Sequence, residues 1–170
     1  TTGTTAVLVG SNGRVAGHTY REICQYYPNP GWVEHDPEEI WTSVIECIKE
    51  IMIGTGINID QLRSIGITNQ RQTTVVWDID TGKPVGPAVV WQCRRTESYC
   101  DQLREKGFEE LVRESTGLTI DPYFSATKIR WILDTIPNGQ RRAQQGELLF
   151  GTIDSWLIWR LSGGRDHLTD

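Results

Sequence analysis

The sequence predicts an α/β domain built on a mixed sheet, and three observations carry the prediction. Near the start, two apolar runs flank Ser11-Asn12-Gly13, a turn signal that folds them into a hairpin. After the hairpin, segments with apolar residues at helical spacing alternate with short apolar runs bounded by Gly, Pro and Asp, an alternation that lays helices against a sheet. Finally, 170 residues with 38% hydrophobic and 23% charged content suffice for one good core, and no low-complexity tract or internal repeat interrupts them.

The elements follow in order. Ala6 to Val9 and Val15 to Glu22 are the hairpin strands. Tyr26 to Pro37 holds three prolines and a glycine and reads as an ordered loop. Asp36 is placed to cap a helix, Pro37 suits its first position, and Glu39 has capping-box spacing. Ile40, Val44, Ile48 and Ile51 then form one apolar stripe, and Gly54 and Gly56 end the helix. Leu62 to Thr68 reads as a strand. Thr74 to Trp77 and Ala88 to Trp91 are strands around the Asp80-Thr81-Gly82-Lys83 turn. Arg95 to Lys106, Phe108 to Ser115 and Ala126 to Thr135 are helical. Leu148 to Ile153 reads as a buried strand, after which Asp154 caps a helix running through Leu161 to the stop at Gly163-Gly164.

Composition excludes several classes. A net charge of −5 gives no general attraction to nucleic acid or anionic membranes. No run of 18 apolar residues and no signal-peptide pattern occur, so the expected setting is cytoplasmic, away from membranes. Cys24, Cys47, Cys93 and Cys100 lack zinc-ligand spacing and are expected as buried free thiols. His18, His35 and His167 are scattered, so no metal site is expected.

The chemistry concentrates at Gly66-Ile67-Thr68-Asn69-Gln70-Arg71-Gln72-Thr73-Thr74, where an apolar strand releases a run of polar side chains. Strand ends of this kind are where α/β proteins place ligands. Val89-Val90-Trp91-Gln92-Cys93-Arg94-Arg95 and Ile120-Asp121-Pro122-Tyr123-Phe124-Ser125 echo the pattern. Together with Tyr27-Pro28-Asn29-Pro30-Gly31-Trp32-Val33-Glu34-His35-Asp36-Pro37, these segments resemble the glycerol kinase branch of the carbohydrate kinases, which shares the ribonuclease H-like fold of actin and hexokinase. The resemblance runs from Gly3-Thr4-Thr5 to Leu168-Thr169-Asp170.

What the resemblance implies is specific. The parent activity is phosphorylation of glycerol to sn-glycerol 3-phosphate by ATP with Mg2+, in an enzyme expected to be a homo-oligomer. Arg71 matches the arginine that grips glycerol hydroxyls, and its five-donor fork suits two adjacent hydroxyls. Gln72 stands where the family usually carries a glutamate, so a weaker or altered polyol grip is expected. Trp91 matches a ring packed on glycerol carbons, and Tyr123 a phenol that contacts the substrate. Gly3, Thr4 and Thr5 resemble the family's Asp-x-Gly-Thr-Thr phosphate loop, with Thr1 in the acidic position and a Ser-Ser-Arg-like segment missing after Thr5. The catalytic aspartate and the second domain have no counterpart in these residues. The expectation is therefore that residues 1–170 are part of an N-terminal domain, lacking its first strand and its end. Two alternatives stand beside glycerol phosphorylation: a sibling sugar or polyol kinase, and a non-catalytic polyol-binding relic.

Overall fold

A computed structural model describes residues 2–169 and divides them into two compact units, Thr1–Gln25 with His35–Thr68 and Tyr26–Glu34 with Asn69–Asp170. The expectations that touch Thr1 and Asp170 lie outside the described residues.

In the first unit, β1 (Gly3–Val9) and β2 (Val15–Glu22) form the expected antiparallel hairpin. Its turn closes with Gly10 N–H on the Arg14 carbonyl, and Gly13 supplies the left-handed residue at φ 76°. β3 (Glu34–His35) is divided between the units. α1 (Pro37–Thr55) packs on one hairpin face, burying Ile40, Ser43, Cys47 and Ile51. Asp36 caps it by accepting from Glu38 N–H at 2.9 Å, and Gly56 ends it at φ 69°. Glu39 does not close the capping box: its carboxylate accepts from Cys24 N–H at 2.8 Å, tying down the chain that leaves β2. A short 3₁₀ turn, Ile59–Gln61, follows. The strand expected over Leu62 to Thr68 is absent. These residues find no ladder partner among the described residues, and an extended segment becomes a strand only when paired.

The second unit holds β4 (Val75–Asp78), β5 (Ala88–Val89), α2 (Glu97–Glu105), α3 (Glu109–Thr116), α4 (Ser125–Thr135), α5 (Gly139–Gln144), β6 (Leu148–Gly151) and α6 (Ile153–Leu161). β4 runs antiparallel to β6, and Thr74 pairs with Val89 through a single bridge. Where the pattern predicts one mixed sheet, the described residues carry three two-stranded sheets. The core gathers Val33, Val76, Val89, Val90, Cys93, Ile132 and Leu148, with Trp32 and Trp131 packed against it. Removing side chains of this kind from water contributes about 1.5–3 kcal/mol each. α6 begins one residue before Asp154, which therefore lies in its first turn rather than at its cap. Asp154 is instead held in place by Thr152, by Thr169 and, through its own N–H, by Asn69.

One charged side chain belongs to this core. Arg95 is sandwiched between the rings of Trp32 and Trp131, at 4.1 and 4.6 Å from their centroids, and pairs with Glu34 at 2.8 Å. A planar guanidinium can stack on two aromatic faces while its edge meets a carboxylate, which an ammonium cannot do. The Tyr26–Glu34 loop is thereby fastened to the rest of its own unit, with Val33 carbonyl also accepting from Val90 N–H at 3.1 Å. Of the four thiols, all free, Cys47, Cys93 and Cys100 are buried as expected, whereas Cys24 is exposed. Among the described residues no helix is long and apolar enough to cross a membrane, and no group of three His, Cys, Asp or Glu could hold a metal ion.

Candidate functional site

The polar run that follows Thr68 is organised by its own side chains. Asn69 donates to Thr152 Oγ at 2.8 Å and accepts from Asp154 N–H, so the run is anchored at the start of α6. Gln70 donates to Thr73 Oγ at 2.9 Å, and Trp91 N–H reaches the same hydroxyl at 3.3 Å. Thr73 and Thr74 are fully buried at the entrance to β4. Between these anchors Arg71 is exposed, and its guanidinium makes no hydrogen bond or ion pair among the described residues. Five donors are thus presented to solvent from a fixed backbone.

Gln72 adopts a left-handed backbone at φ 62°, a conformation that costs a residue with a side chain of order 1 kcal/mol. Four contacts hold it there, one of them from Thr74 Oγ to its carbonyl at 3.3 Å. Its Oε1 accepts from Ser125 N–H at 3.0 Å and from Ser125 Oγ at 2.9 Å, and its carbonyl accepts from Lys128 Nζ at 2.8 Å. α4 has no side-chain cap of its own at Phe124, so Gln72 caps it from a distant point in the chain. The side-chain oxygen expected to accept from a polyol already serves two protein donors.

Tyr123 is placed by short-range chemistry. Asp121 accepts from Tyr123 N–H at 2.8 Å, the local turn that this residue type favours, and Arg94 lies 3.7 Å from the same carboxylate oxygen. The Tyr123 ring meets Trp91 edge-on at 6.1 Å and Phe124 at 5.1 Å. Its carbonyl accepts from Lys128 Nζ at 2.6 Å. Trp91 and Tyr123 are both half-buried, which leaves part of each ring open as an apolar wall. Lys128 itself is fully buried, and burial pushes its ammonium down from 10.5 to about 8, with Cys93, Asp121 and Cys100 acting the other way.

The structure therefore brings Gln72, Trp91 and Tyr123 together, with Arg71 one residue away. Lys128 and Ser125 join them, although the sequence pattern marks their stretch only as a helix. The signal available was a lysine in the buried stripe of an amphipathic helix.

Gly3, Thr4 and Thr5 are placed differently from expectation. They are strand residues of β1, opposite Glu22, Arg21 and Tyr20, and not a loop. A Cβ at Gly3 would collide with the Arg21 carbonyl and approach the Tyr20 ring to 2.6 Å, so glycine is required there by packing within the hairpin. The Thr4 hydroxyl pairs with Ser43 Oγ at 2.6 Å, and its carbonyl accepts from Cys47 Sγ at 3.7 Å. Both groups serve the contact with α1. Only Thr5 leaves its side chain exposed.

The segments that precede β4, follow β5 and precede α4 thus bring an exposed guanidinium, two half-buried aromatic rings and a set of anchored amides close together. The family model described as "FGGY family of carbohydrate kinases, N-terminal domain" matches residues 1–170, and the chain belongs to that family. It is 54% identical over 170 residues to the glycerol kinase of Bacillus subtilis (strain 168), and 55% identical to glycerol kinase 2 of Thermotoga maritima. Each match takes in all of this chain and 34% of the relative. Among solved structures, the glycerol kinase of Plasmodium falciparum with ADP superposes with a TM-score of 0.90 at 31% identity, over 96% of this chain and 33% of that one. A Brucella ovis xylulose kinase, at 19% identity and a TM-score of 0.79, shares the fold. The chain thus spans about a third of the length of the curated relatives it matches.

Proposed function

We propose that these residues are part of the N-terminal domain of a glycerol kinase and form its polyol-binding portion, in an enzyme that transfers the γ-phosphoryl group of ATP to glycerol. The observation that carries the reading is the convergence of Gln72, Trp91 and Tyr123 beside the unpartnered Arg71 guanidinium. The names of relatives at 54–55% identity support it, as does the ADP in the Plasmodium falciparum structure.

In this reading, Arg71 donates to two neighbouring hydroxyls while Trp91 and Tyr123 cover the carbon chain. The primary hydroxyl attacks phosphorus in line, a reaction in which positioning and neutralisation of charge supply most of the acceleration. Magnesium would come with the nucleotide phosphates. No group of side chains among the described residues fits that ion, so no step of the reaction is assigned to a metal ligand of this chain. Nor is a nucleotide phosphate assigned to Gly3 or Thr4, whose groups serve the hairpin and α1.

The test is glycerol-dependent ADP release by the protein carrying this chain, with the product identified by phosphorus NMR. Formation of sn-glycerol 3-phosphate is the expected result. Turnover on a pentulose or another polyol with none on glycerol would instead establish a sibling kinase, the reading that the occupied Gln72 amide favours.

A further inference from the structure

Lysine is almost never fully buried without a partner of opposite charge. Lys128 is 0% exposed, and among the described residues its ammonium forms no ion pair. Its two hydrogen bonds go to backbone carbonyls from segments far apart in sequence, Gln72 at 2.8 Å and Tyr123 at 2.6 Å. Both acceptors belong to residues of the polyol site, one in a left-handed conformation and the other carrying the aromatic wall. An apolar side chain of the same length would fill the volume but leave the Tyr123 carbonyl without its Lys128 donor and the Gln72 carbonyl with the Thr74 hydroxyl alone, at 3.3 Å.

We propose that Lys128 is the positioning residue of the polyol site, its single ammonium clamping the Arg71–Gln72 turn to the Tyr123 segment so that the guanidinium and the aromatic wall face one ligand. This inference rests on the polyol reading above. The left-handed turn at Gln72 has a second tie, from its side chain to Ser125, so removal of the clamp loosens the site without dismantling α4. Because Lys128 is buried behind Gln72 and Tyr123, its effect on substrate passes through those residues. The expected signature is weakened polyol binding with the nucleotide side unaffected.

The experiment compares Lys128→Met, Lys128→Gln and Arg71→Ala with the parent in the full-length protein carrying this chain, measuring steady-state constants for glycerol and for ATP. Lys128→Met is expected to raise the glycerol KM about tenfold or more, with kcat reduced less than about threefold and the ATP KM within about twofold of the parent. Lys128→Gln, which restores a neutral donor, should fall between parent and Lys128→Met; it also carries the test alone if the methionine variant does not fold. Equal increases in both KM values would mean general loosening and would overturn the proposal, as would a parental glycerol KM in Lys128→Gln. If Lys128→Met and Lys128→Gln bind glycerol as the parent does while Arg71→Ala is impaired, Lys128 fails alone. If Arg71→Ala is also unimpaired, the polyol reading falls with it.

Discussion

Arg71 and Gln72 are neighbours with opposite circumstances, and the difference sets what each substitution should do. Among the described residues the Arg71 guanidinium has no hydrogen bond or ion pair, so Arg71→Ala removes no contact of the described fold. On the polyol reading proposed above, in the full-length protein it should raise the glycerol KM and lower kcat/KM by about 2–4 kcal/mol, since charged hydrogen bonds to substrate would be lost. An unchanged glycerol kcat/KM in a folded variant would remove this loop from the site. Gln72 serves the fold as the distant cap of α4. Gln72→Glu would place a carboxylate on the Ser125 donors, at a helix N-terminus and beside the Lys128 ammonium, all favourable to negative charge. With one carboxylate oxygen on the Ser125 donors, the second is left to accept from a polyol, so glycerol should bind about 1 kcal/mol more tightly, measurable by calorimetry, and weaker binding would contradict the assignment. Lys128 adds a pH dependence whose sign follows from proton counting. Its value falls from 10.5 unfolded to about 8 folded because burial penalises the charge. Between those values the unfolded chain holds the proton and the folded one does not, so stability rises with pH across that window, by up to about 3 kcal/mol. Urea denaturation at pH 7.5 and 9.5 should show this rise, and Lys128→Met should lose it.

At the level of elements, what was legible from sequence depended on how local the determining contacts are. The hairpin needed only Ser11-Asn12-Gly13 between two apolar runs, and α1 needed only Asp36-Pro37 and its stripe; both were read correctly because caps and turns act within a few residues. Leu62 to Thr68 has as good an apolar pattern, but strand formation depends on a partner that its own residues cannot specify. Gly3 shows a related limit: glycine in a motif and glycine under a tyrosine ring look alike until the cross-strand neighbour is known. Arg71, Trp91 and Tyr123 stand out in the sequence through the family resemblance, whereas Lys128 and Arg95 lie in stretches that the sequence pattern reads only as helix, where charge usually faces water. Arg95 gives the sharpest test at this scale. Arg95→Met keeps a side chain between Trp32 and Trp131 but leaves the half-buried Glu34 without its partner. The expected cost is about 3–5 kcal/mol of stability. Arg95→Lys should recover little, since an ammonium cannot stack on two rings and reach Glu34 together. Equal stability of Arg95→Lys and the parent in thermal melts would show that charge alone matters there.

For the molecule as a whole, the most telling feature is an apolar surface on the hairpin face opposite α1. Val7, Val9, Val15 and Tyr20 are 51%, 56%, 63% and 50% exposed on adjoining positions of β1 and β2. Neither outer edge of this two-stranded sheet has a ladder partner among the described residues. An unpaired strand edge beside exposed valines is a template for pairing with another chain. The same residues expressed alone as 1–170 should therefore self-associate, with sedimentation that depends on concentration. On the proposed reading they should also release no ADP in response to glycerol, since among the described residues no group of His, Cys, Asp or Glu side chains could hold a nucleotide's metal ion. Replacing Val7 and Val9 with lysine should reduce the association without altering α1, whose contacts lie on the other face of the hairpin. A monomer that unfolds in one cooperative transition before any substitution would show that this face is stable in water as it stands, and that the exposed valines make no demand for a partner.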